Sequence, residues 1–178
     1  MNKVIYAGGC FWCVEHDLKE APGVLASVSG YTGEGSIVPS YENHTGFREA
    51  VEVEYDNTKT NFKKLTQYFL DHIDPTDAGG QFGDRGESYQ TAIYYSNEEE
   101  KMVAESLLRE LADSHIYEKS INVQVLPSQK FYKAEEYHQN YAEKNPAHYS
   151  MYRQGSGRQA QVDRTCAIRE EKHINWKN

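Results

Sequence analysis

The sequence predicts an α+β protein, a two-layer α/β sandwich in which helices lie on a β-sheet. Three observations predict it. Period-two runs of apolar residues recur along the chain, stretches with apolar residues at helical spacing separate them, and the joints between are rich in Gly, Pro, Asn and Ser. With 178 residues, of which 38% are hydrophobic and 26% charged, the chain is long enough to build one domain with a substantial core.

The elements follow in order. Residues 3–7 (KVIYA) form a short strand that stops at Gly8-Gly9. Residues 10–20 read as a helix, which puts the first cysteines at a strand-to-helix junction. Residues 24–31 form a strand, and residues 33–46, rich in Gly, Ser, Pro and Asn, a long loop. Residues 50–55 (AVEVEY) alternate strictly and give a strand with one wet face carrying Glu52 and Glu54. Residues 61–73 place Phe62, Leu65, Phe69 and Ile73 at helical spacing, and residues 74–88 form a second loop. Residues 91–95 form a strand. Ser96 and Glu99 then make a capping box that opens a helix expected to bury Val103, Leu107, Leu108 and Leu111. Residues 122–126 form a strand ended by Pro127, and residues 135–143 a last short helix. The order contains the β-α-β-β-α-β pattern of a ferredoxin-like core, followed by a C-terminal extension. Periodicity lapses after Asn145-Pro146, and Gly155 to Gly157 resembles a linker. The expected division is therefore a catalytic domain over residues 1–154 and a weakly packed tail or linker over residues 155–178.

Composition removes several function classes. The net charge is −8 and no dense Lys/Arg cluster could track a phosphate backbone, so nucleic acid is not an expected partner. No apolar run approaches the ~18 residues of a membrane helix, and the first residues lack a signal-peptide pattern. The expectation is a cytoplasmic monomer that needs no membrane. Three cysteines, Cys10, Cys13 and Cys166, are too few and odd in number for a disulfide scaffold.

Cys10-Phe11-Trp12-Cys13 is the sharpest local feature. A cysteine in the first turn of a helix faces unpaired N–H groups and the positive end of the helix dipole, which favour the nucleophilic thiolate. Cys13 lies one turn on, within reach of Cys10 for a disulfide once Cys10 is oxidised. Three other readings fit the same residues. The pair could be small buried apolar residues, or a thioredoxin-type C-x-x-C for thiol-disulfide exchange. Or, with His16, it could be the start of a zinc site, for which His138, His148, Cys166 and His173 are scattered candidates rather than a compact second pair.

The segment GCFWCVE, Gly9 to Glu15, resembles the signature of the peptide methionine sulfoxide reductase A family. Four further blocks follow in the family's order: GYTGEG with PSYE at Gly30 to Gly35 and Pro39 to Glu42, TGFREAVEVEYD at Thr45 to Asp56, DRGESYQTAIYY at Asp84 to Tyr95, and FYKAEEYHQNYAEKNP at Phe131 to Pro146. Without that resemblance Glu49 reads as a solvated charge, Tyr41 and Tyr89 as ordinary loop tyrosines, and His138 as a structural histidine. The resemblance implies instead that Cys10 attacks the sulfur of the S epimer of methionine sulfoxide and that Glu49 is the acid that protonates the oxygen. It implies that Tyr41 and Tyr89 hold that oxygen and that Phe11 and Trp12 line an aromatic pocket for the methyl group. Asp84, His138 and Tyr141 align with residues that contact the main chain of the bound methionine. No metal or organic cofactor is implied, and the function is repair of oxidised proteins.

The chain departs from the family pattern in places. The stretch from Tyr41 to Glu49 is short, and Glu136 stands where Asp is usual. Ser150 stands where many members carry a cysteine that resolves the sulfenic acid. Members with GCFWC place a cysteine where Cys13 stands, which makes Cys13 the resolving residue. The resulting Cys10–Cys13 disulfide is then reduced by thioredoxin or a similar dithiol. Cys166 is left either to pass the disulfide on or to stay idle. The tail also resembles the linker found where an A domain is fused to a B-type reductase.

Overall fold

A computed structural model describes residues 2–171. A six-stranded sheet is built from β1 (Asn2–Ala7), β2 (Val24–Gly33), β3 (Phe47–Tyr55), β6 (Ala92–Tyr95), β7 (Gln124–Pro127) and β8 (Phe131–Lys133), in the order β7-β6-β1-β3-β2-β8. A separate two-stranded hairpin, β4 (Gly80–Gln81) with β5 (Asp84–Arg85), sits inside the expected second loop. The four inner strands run β6-β1-β3-β2 with every neighbouring pair antiparallel. Among the described residues only the β6–β7 pair is parallel. It is joined by a helix, α3 (Glu98–Asp113), as a parallel connection requires.

Helices α1 (Phe11–Lys19), α2 (Phe62–Asp71) and α3 share one core with one face of the sheet. Val4 and Tyr6 of β1, Val51, Val53 and Tyr55 of β3 and Ile93 of β6 meet Val14, Leu18, Phe62, Leu65, Phe69, Leu107 and Leu111 there. Ile5, Ala7, Ala50, Ala92 and Tyr94 point to the other face and form a smaller cluster with Leu126 and Phe131. Strand alternation thus separates two faces, one under the helices and one thinly covered.

Local differences from the sequence expectations have physical causes. Helix α3 starts one residue later than the expected box: Asn97 is the cap, accepting from the Glu100 N–H at 2.9 Å, and Glu100 reaches back to the Ser96 N–H at 2.7 Å. Its buried residues are Ala104, Leu107 and Leu111, with Val103 and Leu108 only partly covered. Residues 135–143 do not form one helix. They contain a 3₁₀ turn, Glu136–His138, and a one-turn helix α4 (Tyr141–Lys144), with Asn140 between them at φ 54°.

The largest correction concerns the C-terminal segment. Asn145-Pro146 is a helix start, with Pro146 in the first turn, where its missing N–H costs nothing. It opens α5 (Pro146–Gly155), and α6 (Arg158–Glu171) follows. Helix α6 buries Arg158, Val162, Thr165 and Arg169 along one stripe, so residues 158–171 are a packed helix, not a loose tail. Residues 172–178, the rest of the expected tail, and His173 with them, lie outside the described residues.

Candidate active site

Cys10 is the N-cap of α1, where strand β1 ends and the chain turns over Gly8 and Gly9. Gly9 has φ +83°, and a side chain there would drive into Gln81 at 2.5 Å. The Cys10 carbonyl accepts the N–H groups of Cys13 and Val14, but its side chain makes no capping bond. The helix-terminal N–H expected to face the sulfur is used elsewhere: Phe11 N–H donates to Glu49 Oε2 at 2.9 Å. The end of the helix therefore orients a carboxyl beside the cysteine.

Glu49 reaches that place because of strand phase. Along β3 the residues Phe47, Glu49, Val51, Val53 and Tyr55 all face inward, whereas Arg48, Glu52 and Glu54 are partly exposed. Glu49 is 2% exposed, an acid placed in an apolar row. Burial pushes its pKa up to about 8, against the Phe11 N–H and the Tyr89 hydroxyl, which favour the anion; Asp84 adds to the rise. The carboxyl is neutral at pH 7 and can donate a proton.

Cys10 and Cys13 are both buried and unpaired by any disulfide. Cys10 donates a hydrogen bond to Cys13. Burial holds the Cys10 thiol well above its usual range, while the Cys10 hydrogen bond and then the Arg158 and Arg153 guanidiniums bring the Cys13 thiol down. Cys13 is therefore the more acidic thiol of the pair, and Cys10 the one that holds its proton.

Two tyrosines converge on the same point. Tyr89 closes the 3₁₀ turn Glu87–Tyr89 and hydrogen-bonds Glu49. Tyr41, on the loop after β2, presents a 40% exposed side chain. Burial raises both hydroxyls, so both phenols are protonated donors. Tyr41 is anchored by its backbone N–H, which donates to Glu135 Oε1 at 2.8 Å, while Glu135 Oε2 accepts from the Tyr31 hydroxyl at 2.9 Å.

The aromatic residues divide by role. Phe11 is 1% exposed and packs against Tyr31, Tyr41 and His138, which makes it the floor of the site. Trp12 forms the open wall, stacked on Tyr141 at 3.8 Å with planes 8° apart. Trp12 Nε1 donates to His138 Nδ1 at 3.0 Å. His138 is 1% exposed, and burial lowers its pKa, so the neutral ring props the indole from behind. Tyr141 is set by Asn140, whose N–H donates to the buried Glu15 at 3.0 Å. Asp84, on β5, accepts the Tyr152 hydroxyl.

Tyr152, Arg153 and Arg158 reach the cysteines without having been singled out in the sequence. Tyr152 hydrogen-bonds both Asp84 and Cys10. Tyr149 packs against Cys10 and Cys13 and accepts from Arg153, which also pairs with Asp17 at 2.9 Å. The positions recur as 149, 152 and 153 along α5, one helical face, and the Asn145-Pro146 start was the sequence signal for that helix. Ser150, by contrast, is on the exposed face of α5. Cys166 is exposed on α6 beside Asp71 and Arg169. It lies eight residues beyond Arg158, about 12 Å along the axis at ~1.5 Å per residue. Among the described residues no three His, Cys, Asp or Glu groups gather as a metal site, and His16 lies edge-on to Tyr149 at 5.2 Å.

A family model described as peptide methionine sulfoxide reductase matches residues 2–170. The chain belongs to that family. It is 48% identical over 162 residues to peptide methionine sulfoxide reductase MsrA of Bacillus velezensis, covering 89% of this chain and 92% of the relative. It is 43% identical to MsrA 2 of Staphylococcus aureus over 88% of this chain and 91% of that one. Among solved structures, reduced Mxr1 of Saccharomyces cerevisiae superimposes with a TM-score of 0.74 at 26% identity, covering 82% of this chain and 86% of that one. Methionine sulfoxide reductase A of Corynebacterium diphtheriae gives 0.70 at 29% identity, covering 81% and 74%. The family match runs through α6 to residue 170, in keeping with a reductase fold that includes the C-terminal helices. The reductase is an enzyme of methionine sulfoxide reduction, and among its described residues no helix is long and apolar enough to cross a membrane.

Proposed function

We propose that this reductase converts the S epimer of methionine sulfoxide, free or in proteins, to methionine with Cys10 as nucleophile, Glu49 as acid and Cys13 as resolving thiol. One observation carries the reading: a buried, neutral Glu49 fixed by the N–H of Phe11, the residue next to Cys10, with the Tyr89 hydroxyl hydrogen-bonded to it and the Tyr41 ring packed over Phe11 and Trp12. On the approach of substrate the Cys10 proton moves to Cys13 and the Cys10 thiolate attacks sulfur. As the S–O bond weakens, Glu49 delivers a proton to the oxygen and the two phenols stabilise its developing charge. Oxygen transfer leaves methionine and a Cys10 sulfenic acid. Cys13 then displaces the hydroxyl and forms the Cys10–Cys13 disulfide.

Phe11 below and Trp12 at the side make the pocket asymmetric, which supports selection of one epimer and a seat for the methyl group. Asp84, His138 and Tyr141 surround that wall and support recognition of the methionine main chain, His138 through Trp12. The disulfide is returned to dithiol by thioredoxin or a similar protein; Mxr1 of Saccharomyces cerevisiae has been crystallised in complex with Trx2. The three unpaired cysteines support a reducing compartment, the cytoplasm. Residues 1–154 carry the nucleophile, acid and substrate contacts, and we assign 158–171 to the same catalytic unit because Arg158 meets it at the Gly8 carbonyl.

The test is a single turnover of reduced enzyme with each resolved epimer and no added reductant. One equivalent of methionine from the S epimer, with two thiols lost and Cys10 linked to Cys13 by mass spectrometry, is expected. Cys13→Ser should form one methionine and stop. Multiple turnovers of that variant with thioredoxin would remove Cys13 as resolver, and insulin reduction without methionine formation would favour simple disulfide exchange.

A further inference from the structure

Arg158 lies beneath the junction that carries the cysteines and is 2% exposed. Its guanidinium donates to the Gly8 carbonyl at 2.7 Å and to the His72 carbonyl at 3.0 Å, and it lies 4.8 Å from the Phe82 ring centre. It is so close to the turn that a Cβ on Gly9 would sit 3.0 Å from Nη2. These partners are all neutral. Among the described residues no carboxylate lies within ion-pair distance of Arg158, whereas the arginines at 85, 153 and 169 each have one. A buried cation without a counter-charge is costly, so an anion is expected within its field.

The groups facing Cys13 identify that anion. They are Cys10 at the N-cap of α1, Asp17 on α1, Glu49 on β3, Tyr149 and Arg153 on α5, and Arg158 on α6. Asp17 is taken by Arg153 at 2.9 Å. Burial keeps the Cys10 thiol and the Tyr149 phenol protonated, and Glu49 is neutral up to about pH 8. The sulfur of Cys13 is the remaining acceptor of negative charge.

We propose that Arg158 is the counter-cation of the Cys13 thiolate and a positioning residue for the step in which Cys13 closes on oxidised Cys10. The proposal rests on the roles assigned above to the two cysteines. In that step Cys13 thiolate supplies the electron pair of the new S–S bond, and the S–O bond of the Cys10 sulfenic acid breaks. Hydroxide leaves and takes a proton from solvent to become water. The rate follows the thiolate fraction of Cys13, which the Arg158 charge raises. The same guanidinium ties the end of β1 to the end of α2, so the cation that favours the thiolate also fixes where Cys10 begins.

The experiment uses the full chain and three variants: Arg158→Gln, Arg158→Lys, and Val162→Ala, which loosens α6 without changing charge. A single turnover with methionine sulfoxide is followed from mildly acid to alkaline pH, counting methionine formed and Cys10–Cys13 disulfide closed, with closure expressed per methionine. In Arg158→Gln the pH midpoint of closure is expected to rise by about 1–3 units, slowing closure at neutral pH roughly tenfold or more. Arg158→Lys should hold the midpoint near wild type, and Val162→Ala should leave it there. A wild-type midpoint in Arg158→Gln overturns the proposal, as does an equal shift in Val162→Ala, which would make the effect one of helix packing. If Arg158→Gln does not fold, Arg158→Lys decides: a retained midpoint supports the counter-cation and a raised one overturns it. No methionine from the wild type would instead overturn the proposed function itself.

Discussion

Two regions build this site by different means. The sheet side, from β1 through α1 to β3, delivers Cys10, Cys13 and Glu49 on elements whose other residues fill the apolar core. The C-terminal side, α5 and α6, delivers Tyr152, Arg153 and Arg158 on helices whose buried stripe is largely polar. Of the four buried residues of α6 only Val162 is apolar. The first region is held by area removed from water, which is non-directional and tolerant. The second is held by hydrogen bonds and charges that fail when one partner is lost. The groups proposed to react are fixed by the robust region, and the charge around them is adjusted by the brittle one.

Four substitutions test this contrast, in order of falling effect. Cys10→Ser should abolish methionine formation while leaving the melting temperature close to wild type, since serine fills the same buried place. Methionine formation by that variant would move the nucleophile elsewhere. Glu49→Gln should lower the rate of methionine formation by about 10²–10⁴-fold. The pH profile sharpens this: Glu49 must be protonated, so wild-type activity should fall as pH rises through about 8, and the variant should lose that limb. The same raised pKa makes Glu49 favour the fold at low pH and oppose it as pH rises between its unfolded value and about 8, so Glu49→Gln should be relatively more stable at alkaline pH in urea titrations.

On the C-terminal side, Asp17→Asn strands Arg153 as a buried cation. A loss of roughly 3–5 kcal/mol is expected, measured by chemical denaturation. A variant as stable as wild type would show that the brittle region relaxes around a missing charge. Tyr152→Phe removes one hydroxyl from Cys10 and Asp84. With about 1 kcal/mol per hydrogen bond, the expectation is a few-fold change in the rate of thiol alkylation at Cys10 and little change in stability.

The contrast also explains what was readable beforehand. The strands and helices of the sheet side follow apolar periodicity, and Phe62, Leu65, Phe69 and Ile73 are buried as their spacing requires. The placement of Glu49 was readable as well, though only by extending the phase of β3 back to Phe47, because the odd-numbered row contains one acid among apolar residues. Counting from residue 50 instead left Glu49 outside the strand and in water. Helix α6 gave no such handle: Arg158, Val162, Thr165 and Arg169 are a helical stripe, but one that a hydrophobicity pattern does not detect.

By itself the sequence determined the layer architecture, the position of Cys10 at a strand-to-helix turn and the proximity of Cys13, because alternation, helical spacing and a three-residue separation act over short stretches of chain. Tertiary structure alone decided which charges face the sulfurs. Glu49 arrives from 38 residues away through the Phe11 N–H, and Arg158 from 150 residues away through the Gly8 carbonyl. The physical reason is that a pKa depends on what surrounds a group in space. Burial and the nearest counter-charge are properties of the packed molecule, and local pattern carries no record of them.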